Sequence, residues 1–407
     1  MKIVQINTFH NKATGGIMMN IHNLLNQAGH DSYVVWGRGR EPKNDHEILM
    51  NSSFDVKLHG IYTRLTDKTG FGSSAPTKRL IKQLDTIKPD IIHLHNIHGY
   101  YINIELLFNY IRLNNIRLVW TLHDCWPITG HCAYFDMCGC NKWKNGCFDC
   151  EQKTTYPSSL LIDNSKWNWN KKKDLFSNLN LTIVTPSKWL KDLVQESYLG
   201  QYPTHIIHNG IDLNVYKPTI NKDILTKFNL DNRPIILGVA SEWTERKGLK
   251  DFYYLSELMP DYQFVVVGLT DKQKASLPGT IHGFTRTENV QELVSLYSSA
   301  SVFFNPTYED NFPTTNLEAL ACGTPILTYN TGGSPEAVIS DDVGTVVQKN
   351  TPQEADLTLV KDELEKLSSR ADSIRSNCRD ASQIFNKDLL FRKYIDLYET
   401  LYTDDQA

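Results

Sequence analysis

Short apolar runs alternate with amphipathic stretches along the whole chain. In the first half, residues 2–7, 32–36, 90–95, 117–123 and 181–185 read as buried strands. Helical patterns cover 17–27 and 104–113, and another begins at 188. The second half repeats the alternation, with strands at 234–240, 263–267, 301–305 and 325–329. Its helices are expected at 247–258, 290–298, 313–322 and 334–339, followed by a charged helical tail from 362. Strand–helix alternation predicts parallel sheets covered by helices on both faces. Between the halves, the Asn209-Gly210 pair and Pro218 mark turns, which places a linker at 204–221. The fold class is therefore α/β, with two doubly wound, Rossmann-like domains facing a cleft. The expected divisions are 1–205, 206–385 and a C-terminal helix, 386–407, packing back towards the first domain. Ligands of such sheets bind outside the carboxyl ends of the strands.

The chain's 407 residues suit two domains, and 41% apolar with 22% charged residues is the composition of a globular protein. Lysine and arginine total 42 against 46 acids, a net charge of −4. That excludes a general basic footprint for nucleic acid. The apolar start is too short for a signal peptide, and no run reaches spanning length. The expected location is the cytoplasm, with contact to the inner face of a membrane. The segment 164–173 combines Trp167, Trp169 and Lys171-Lys172-Lys173. It suits either an anionic membrane surface or a solvated helix with inward tryptophans.

Candidate chemistry lies in three places. Gly15-Gly16 opens a helix after the first strand, where bare amides can approach an anion. Arg246-Lys247-Gly248 follows the strand at 234–240, where two cations at a helix start favour a diphosphate. Residues 309–318 read Glu-Asp-Asn-Phe-Pro-Thr-Thr-Asn-Leu-Glu. Pro313 suits a first helical turn, and Gly323 with Pro325 stops the helix. Asp310 and Glu318 can face one ligand, and carboxylates accept sugar hydroxyls.

With Asn209-Gly210-Ile211-Asp212, Thr185-Pro186-Ser187-Lys188 and Gly332-Gly333-Ser334-Pro335-Glu336, these motifs resemble family 4 glycosyltransferases of GT-B fold over nearly the whole chain. The resemblance extends to bacterial capsule and exopolysaccharide members with a cysteine-rich insert. It implies a retaining hexosyltransferase that uses a nucleotide sugar and needs no catalytic metal. Carried over by position, Glu318 holds the ribose. Arg246 and Lys247 hold the diphosphate, with Gly15 and Gly16 beside it. Asp310, Asn311 and Phe312 line the donor sugar, with Pro313 and Thr314 following. Gly283 and Phe284 belong to a loop that reads the base, mainly through backbone. His123 sits near sugar and acceptor, so the expected catalytic set is His123, Arg246, Lys247 and Asp310. The family's acid pair is two glutamates, and this chain has Asp310 at the first position. A UDP-sugar is the first choice of donor, ahead of GDP-mannose and dTDP-rhamnose. The acceptor is a growing, lipid-linked glycan. An epimerase of the same fold, or a non-catalytic nucleotide-sugar binder, are the alternatives.

Six of the eight cysteines fall between 125 and 150. Clustered cysteines in a cytoplasmic chain suggest metal before disulfide. Cys147-x-x-Cys150 has knuckle spacing, and Cys132 and Cys140 complete a tetrahedral set for a structural zinc. Cys138 and His131 are the substitute ligands. The insert, about 125–152, looks too poor in apolar residues to hold a core of its own.

Overall fold

Seven parallel strands form the first sheet, in the order β3-β2-β1-β4-β5-β6-β7. They are β1 (Lys2–Phe9), β2 (Asp31–Arg38), β3 (Glu47–Leu49), β4 (Ile91–Leu94), β5 (Arg117–Thr121), β6 (Leu181–Thr185) and β7 (Thr204–Ile206). The computed structural model describes residues 1–11 and 13–403. Between the strands run α1 (Ala13–Gln27), α2 (Ser53–Thr66), α3 (Ser74–Ile87), α4 (Ile104–Leu113), α5 (Ser165–Leu175) and α6 (Lys188–Gln195). β4 and β5 are buried at every position, as strands covered on both faces must be.

The second sheet has six parallel strands in the order β10-β9-β8-β11-β12-β13. A short helix α7 (Lys222–Lys227) precedes β8 (Ile235–Val239), α8 (Leu249–Leu258), β9 (Gln263–Val267), α9 (Asp271–Ala275) and β10 (Ile281–Phe284). Next come α10 (Val290–Ser299), β11 (Val302–Asn305), α11 (Thr314–Ala321), β12 (Ile326–Tyr329) and β13 (Gly344–Val347). A two-stranded ribbon, β14 (Lys349–Thr351) with β15 (Glu354–Ala355), leads to α12 (Leu357–Ala381) and α13 (Lys387–Thr403).

The chain divides into two compact units, one made of Met1–His208 and the residues from Phe391 onward, the other of Asn209–Leu390. α13 crosses this boundary. Its Phe391, Tyr394, Ile395 and Tyr398 belong to the first core, with Ile3, Ile21 and Ile91. Each sheet reverses its order once, at β1/β4 and at β8/β11. The carboxyl ends of those strands are where ligands bind in such sheets.

The segment between β5 and α5 differs from expectation. Its regular structure is two 3-10 turns, Trp126–Ile128 and Lys142–Lys144. Yet Trp126, Ile128, Cys132, Phe135, Trp143 and Cys147 are buried in the main core of the first unit. The insert does not stand apart from a core; it borrows the neighbouring one. Part of the 164–173 motif is likewise drawn in, while Lys166 and Trp167 stay exposed. Trp169 is buried and donates from Nε1 to the Trp143 carbonyl at 2.8 Å. Lys172 is buried over the Trp126 ring and donates to its carbonyl at 2.5 Å. The expected helix at 334–339 is a short 3-10 turn, Ser334–Ala337.

Candidate functional site

In the second unit, three segments meet at the switch point. The turn after β8 carries Glu245–Lys247 as a 3-10 turn and ends on Gly248, whose φ is 72°. A Cβ on Gly248 would lie 2.2 Å from the Pro306 carbonyl oxygen, so only glycine lets the turn press against the exit of β11. The Tyr308 amide donates to the Arg246 carbonyl at 2.7 Å, which fastens the two segments. Arg246 Nη1 donates to the Glu309 carbonyl at 2.7 Å, and Lys247 Nζ pairs with Asp310 Oδ2. The structure thus brings the predicted cations and the predicted acid into one cluster.

The third segment supports the second. Gly332, at φ 55°, packs so closely that a Cβ would fall 1.7 Å from the Asp310 carbonyl oxygen. Asn316 accepts from Asn305 Nδ2 at 2.8 Å and donates to the Ser334 carbonyl at 3.2 Å, tying α11 to β11 and to the 334–337 turn. α11 starts at Thr314 after Pro313 as cap, one residue later than the sequence predicts. Thr314 is half-buried at its first position.

Glu318 lies on the same helix, partly reached by solvent. Tyr297 donates its hydroxyl to Glu318 Oε2 at 2.8 Å, and Tyr216 also bonds the carboxyl. Burial raises this carboxyl from 4.5 to about 7, with the two tyrosines opposing the rise. Near neutrality the group is poised between its acid and its anion.

One expectation changes. Gly283 and Phe284 lie in strand β10 and not in a loop, paired with Val266 and Val267 of β9. The Phe284 carbonyl already accepts the amides of Gly268 and Leu269, at 2.9 and 3.1 Å. Phe312 turns its ring to Phe385, with centroids 5.9 Å apart, and its carbonyl accepts from Asn209 Nδ2 at 3.2 Å. Its side chain packs the segment, while Asn311 and Pro313 are buried beside it.

In the first unit, Gly15 packs on the backbone of Phe9 and His10, whereas Gly16 faces open space. His123 follows β5, at the first unit's switch point. Its Nε2 hydrogen-bonds His95 Nδ1 at 3.1 Å, and the rings stack. Burial depresses His123 to about 4, the Asp124 carboxylate opposing, so the ring is neutral at physiological pH. The next acid, Asp124, bonds His98 Nε2 at 2.9 Å and accepts the Trp126 amide at 3.0 Å. Sequence reasoning missed Tyr216, Tyr297, Asn316 and His95. Their signal is spatial, since each partner lies a strand or more away along the chain.

The predicted zinc ligands Cys132, Cys140, Cys147 and Cys150 line one cavity of about 20 Å³, with Cys138 and His131. That is room for about one water-sized particle. The Gly130 amide donates to Cys147 Sγ at 3.1 Å. His131 pairs instead with Asp67. Among the described residues no three His, Cys, Asp or Glu side chains are gathered as a metal ion requires.

Two doubly wound parallel sheets, with Arg246, Lys247 and the Asp310 carboxylate grouped at the second switch point, are the architecture of the GT-B fold. The model for glycosyl transferases group 1 matches residues 221–380, and that for glycosyltransferase family 4 matches 17–215. The chain belongs to the family 4 glycosyltransferases. It is 26% identical over 375 residues to an Escherichia coli (strain K12) protein named as a colanic acid biosynthesis glycosyl transferase, WcaC, covering 87% of this chain and 89% of that one. It is 29% identical over 204 residues to the N,N'-diacetylbacillosaminyl-diphospho-undecaprenol alpha-1,3-N-acetylgalactosaminyltransferase of Campylobacter jejuni, covering 47% of this chain and 52% of that one. The crystal structure of Anabaena HepE in complex with UDP superposes with a TM-score of 0.65 at 15% identity, over 98% of this chain and 100% of that one.

Proposed function

We propose that the protein is a retaining hexosyltransferase that moves a sugar from a nucleoside diphosphate to a hydroxyl of a lipid-linked glycan for a cell-surface polysaccharide. One observation carries the reading: Arg246, Lys247 and the Glu309–Asp310 segment form one cluster at a sheet's switch point. Arg246 and Lys247 take the diphosphate, Asp310 with its neighbour Asn311 takes the sugar, and Glu318 takes the ribose. Asp310 holds Lys247 without ligand, so donor binding exchanges that ion pair for sugar hydroxyls on the acid and phosphate oxygens on the lysine.

In the reaction the sugar C1–O bond to the β-phosphate breaks, and the acceptor oxygen bonds C1 on the same face. The acceptor proton passes to the departing phosphate oxygen. The two cations stabilise the charge that develops there, which is the largest single contribution such a site makes. They fill the role a catalytic metal would otherwise take. His123, neutral, orients sugar or acceptor by hydrogen bonding.

UDP is the first donor base, supported by the UDP held in the Anabaena neighbour. The acceptor class is supported by the colanic acid and diphospho-undecaprenol named for the two relatives. A thermal-shift screen of nucleotide sugars tests the donor, and the anomeric configuration of the product by NMR tests retention. Unchanged melting with every nucleotide would refute the donor site, and inverted product would refute retention.

The insert's zinc belongs to the same proposal. Cys132, Cys140, Cys147 and Cys150 supply the soft thiolates a structural zinc prefers, around one small cavity. Loading requires the side chains to turn inward together, and metal-binding energy then becomes folding energy for a segment with little regular structure.

A further inference from the structure

Helix α2 turns its apolar side outward. Its buried residues are His59 and Thr63, whereas Phe54, Leu58, Ile61 and Leu65 are 67%, 50%, 52% and 45% exposed. At about 100° per residue these four fall within roughly 60° of one another, one stripe along the outer face. A stripe of that spacing ordinarily faces the core. Here the opposite face is pinned inward: His59 Nδ1 bonds Ser73 Oγ at 2.9 Å, and His59 Nε2 accepts the Gly72 amide at 3.2 Å. The helix cannot roll to bury its stripe without losing these bonds.

The stripe continues beyond the helix. The Leu160 amide donates to the Arg64 carbonyl at 2.8 Å and sets exposed Leu160, Leu161 and Ile162 beside the end holding Leu65. Trp167 is also exposed, with Lys68 Nζ 4.3 Å from its ring centroid.

Bases predominate around this surface, although Asp55 and Asp163 stand among them. Lys57 and Arg64 are exposed on α2, roughly 70–90° to one side of the stripe, and Lys166 is exposed next to Trp167. The acids of the same segments are already engaged. Asp55 caps α2 through Ser52, Asp67 pairs with His131, and Asp163 accepts the amides of Cys150 and Ser165. Apolar side chains with a basic rim suit an anionic interface.

We infer that the outer face of α2 and the 160–162 segment form a docking surface for an anionic phospholipid bilayer. The surface places the membrane contact on α2 and not on the buried Trp169 and Lys172. This deepens the acceptor reading above, and rests on it for its purpose, since a lipid-linked acceptor lies in a bilayer.

The test is co-sedimentation of the full chain with vesicles of phosphatidylglycerol and phosphatidylethanolamine, and with neutral phosphatidylcholine. Wild type should pellet with the anionic vesicles and much less with the neutral ones. Leu58→Glu should weaken binding roughly tenfold, and Leu58→Glu/Leu161→Glu roughly a hundredfold. Lys57→Gln/Arg64→Gln should weaken anionic binding roughly tenfold and leave neutral binding unchanged. Circular dichroism and the UDP-induced melting shift, unchanged in each variant, exclude misfolding. Failure to pellet, equal binding to both vesicles, or a dimer that the Leu58→Glu change dissociates would overturn the inference. Vesicle binding without any nucleotide response would sink the transferase reading alone, and nucleotide response without vesicle binding would sink the docking surface alone.

Discussion

Replacing Glu318 by glutamine separates stability from function in opposite directions. The carboxyl is held near pH 7 in the fold against 4.5 as its ordinary value, mainly by burial. Ionising such a group costs about 3 kcal/mol when the whole difference applies, and about 1–2 kcal/mol once partial solvent access is allowed for. The raised value means that this stability is present below pH 4.5 and is lost as pH rises through 7. Glutamine keeps the shape and accepts from Tyr297, but carries no charge. At pH 8 the variant should therefore melt roughly 2–6 °C higher than wild type in the absence of ligand. Its melting temperature should also lose part of the wild-type decline between pH 5 and 8. Nucleotide binding should move the other way. Hydrogen bonds from ribose hydroxyls to an anion contribute about 1.5–3 kcal/mol, against about 0.5–1.5 for neutral partners. UDP affinity should then fall roughly tenfold or more, measured by isothermal titration at pH 8. In wild type, affinity should fall as pH drops below 7, because the anion is the better acceptor. A variant that is less stable at pH 8 and binds UDP normally would refute both the buried-charge argument and the ribose assignment.

Arg246→Ala and Lys247→Ala should each cut transfer roughly a hundredfold while folding normally, as loss of a preorganised charge does; near-normal turnover in both would remove the diphosphate assignment. Asp310→Ala should weaken the complete nucleotide sugar and spare bare UDP, whereas Glu318→Gln should weaken both because both carry the ribose; an equal loss of both ligands in Asp310→Ala would count against this division. Gly332→Val should abolish donor binding, because its Cβ would collide with the Asp310 carbonyl oxygen at 1.7 Å and its φ of 55° disfavours a branched residue; a normal titration curve would show that the Asp310 segment tolerates displacement. Protein purified without an affinity tag should carry about one zinc per chain by elemental analysis, and absence of zinc with freely titratable native thiols would dispose of the metal.

The strands nearest the two switch points were legible because fully buried strands write continuous apolar runs. The region from 47 to 87 was not. α2 carries its apolar stripe on the solvent side and a histidine on the core side, so its periodicity misreports its orientation. β10 was missed as a strand because its four residues, Ile-His-Gly-Phe, are mostly half-exposed and write no apolar run. The run Lys171-Lys172-Lys173 suited either a membrane surface or solvent, yet Lys172 is buried over Trp126. At the site, Asp310, Glu318, Arg246 and Lys247 were legible as charged residues at strand ends. The tyrosines that bond Glu318 stand 102 and 21 residues before it, at Tyr216 and Tyr297, where no local pattern announces them.

The most direct test of the account is transfer itself. Nucleotide sugars labelled in the sugar, beginning with UDP-hexoses, are incubated with the full chain, with and without a bacterial lipid-linked glycan fraction. Label should move to the lipid fraction with equimolar release of nucleoside diphosphate, only when that fraction is present, and Lys247→Ala should lose this transfer. Label that stays on the nucleotide, whether unchanged or as an epimerised sugar, would contradict it.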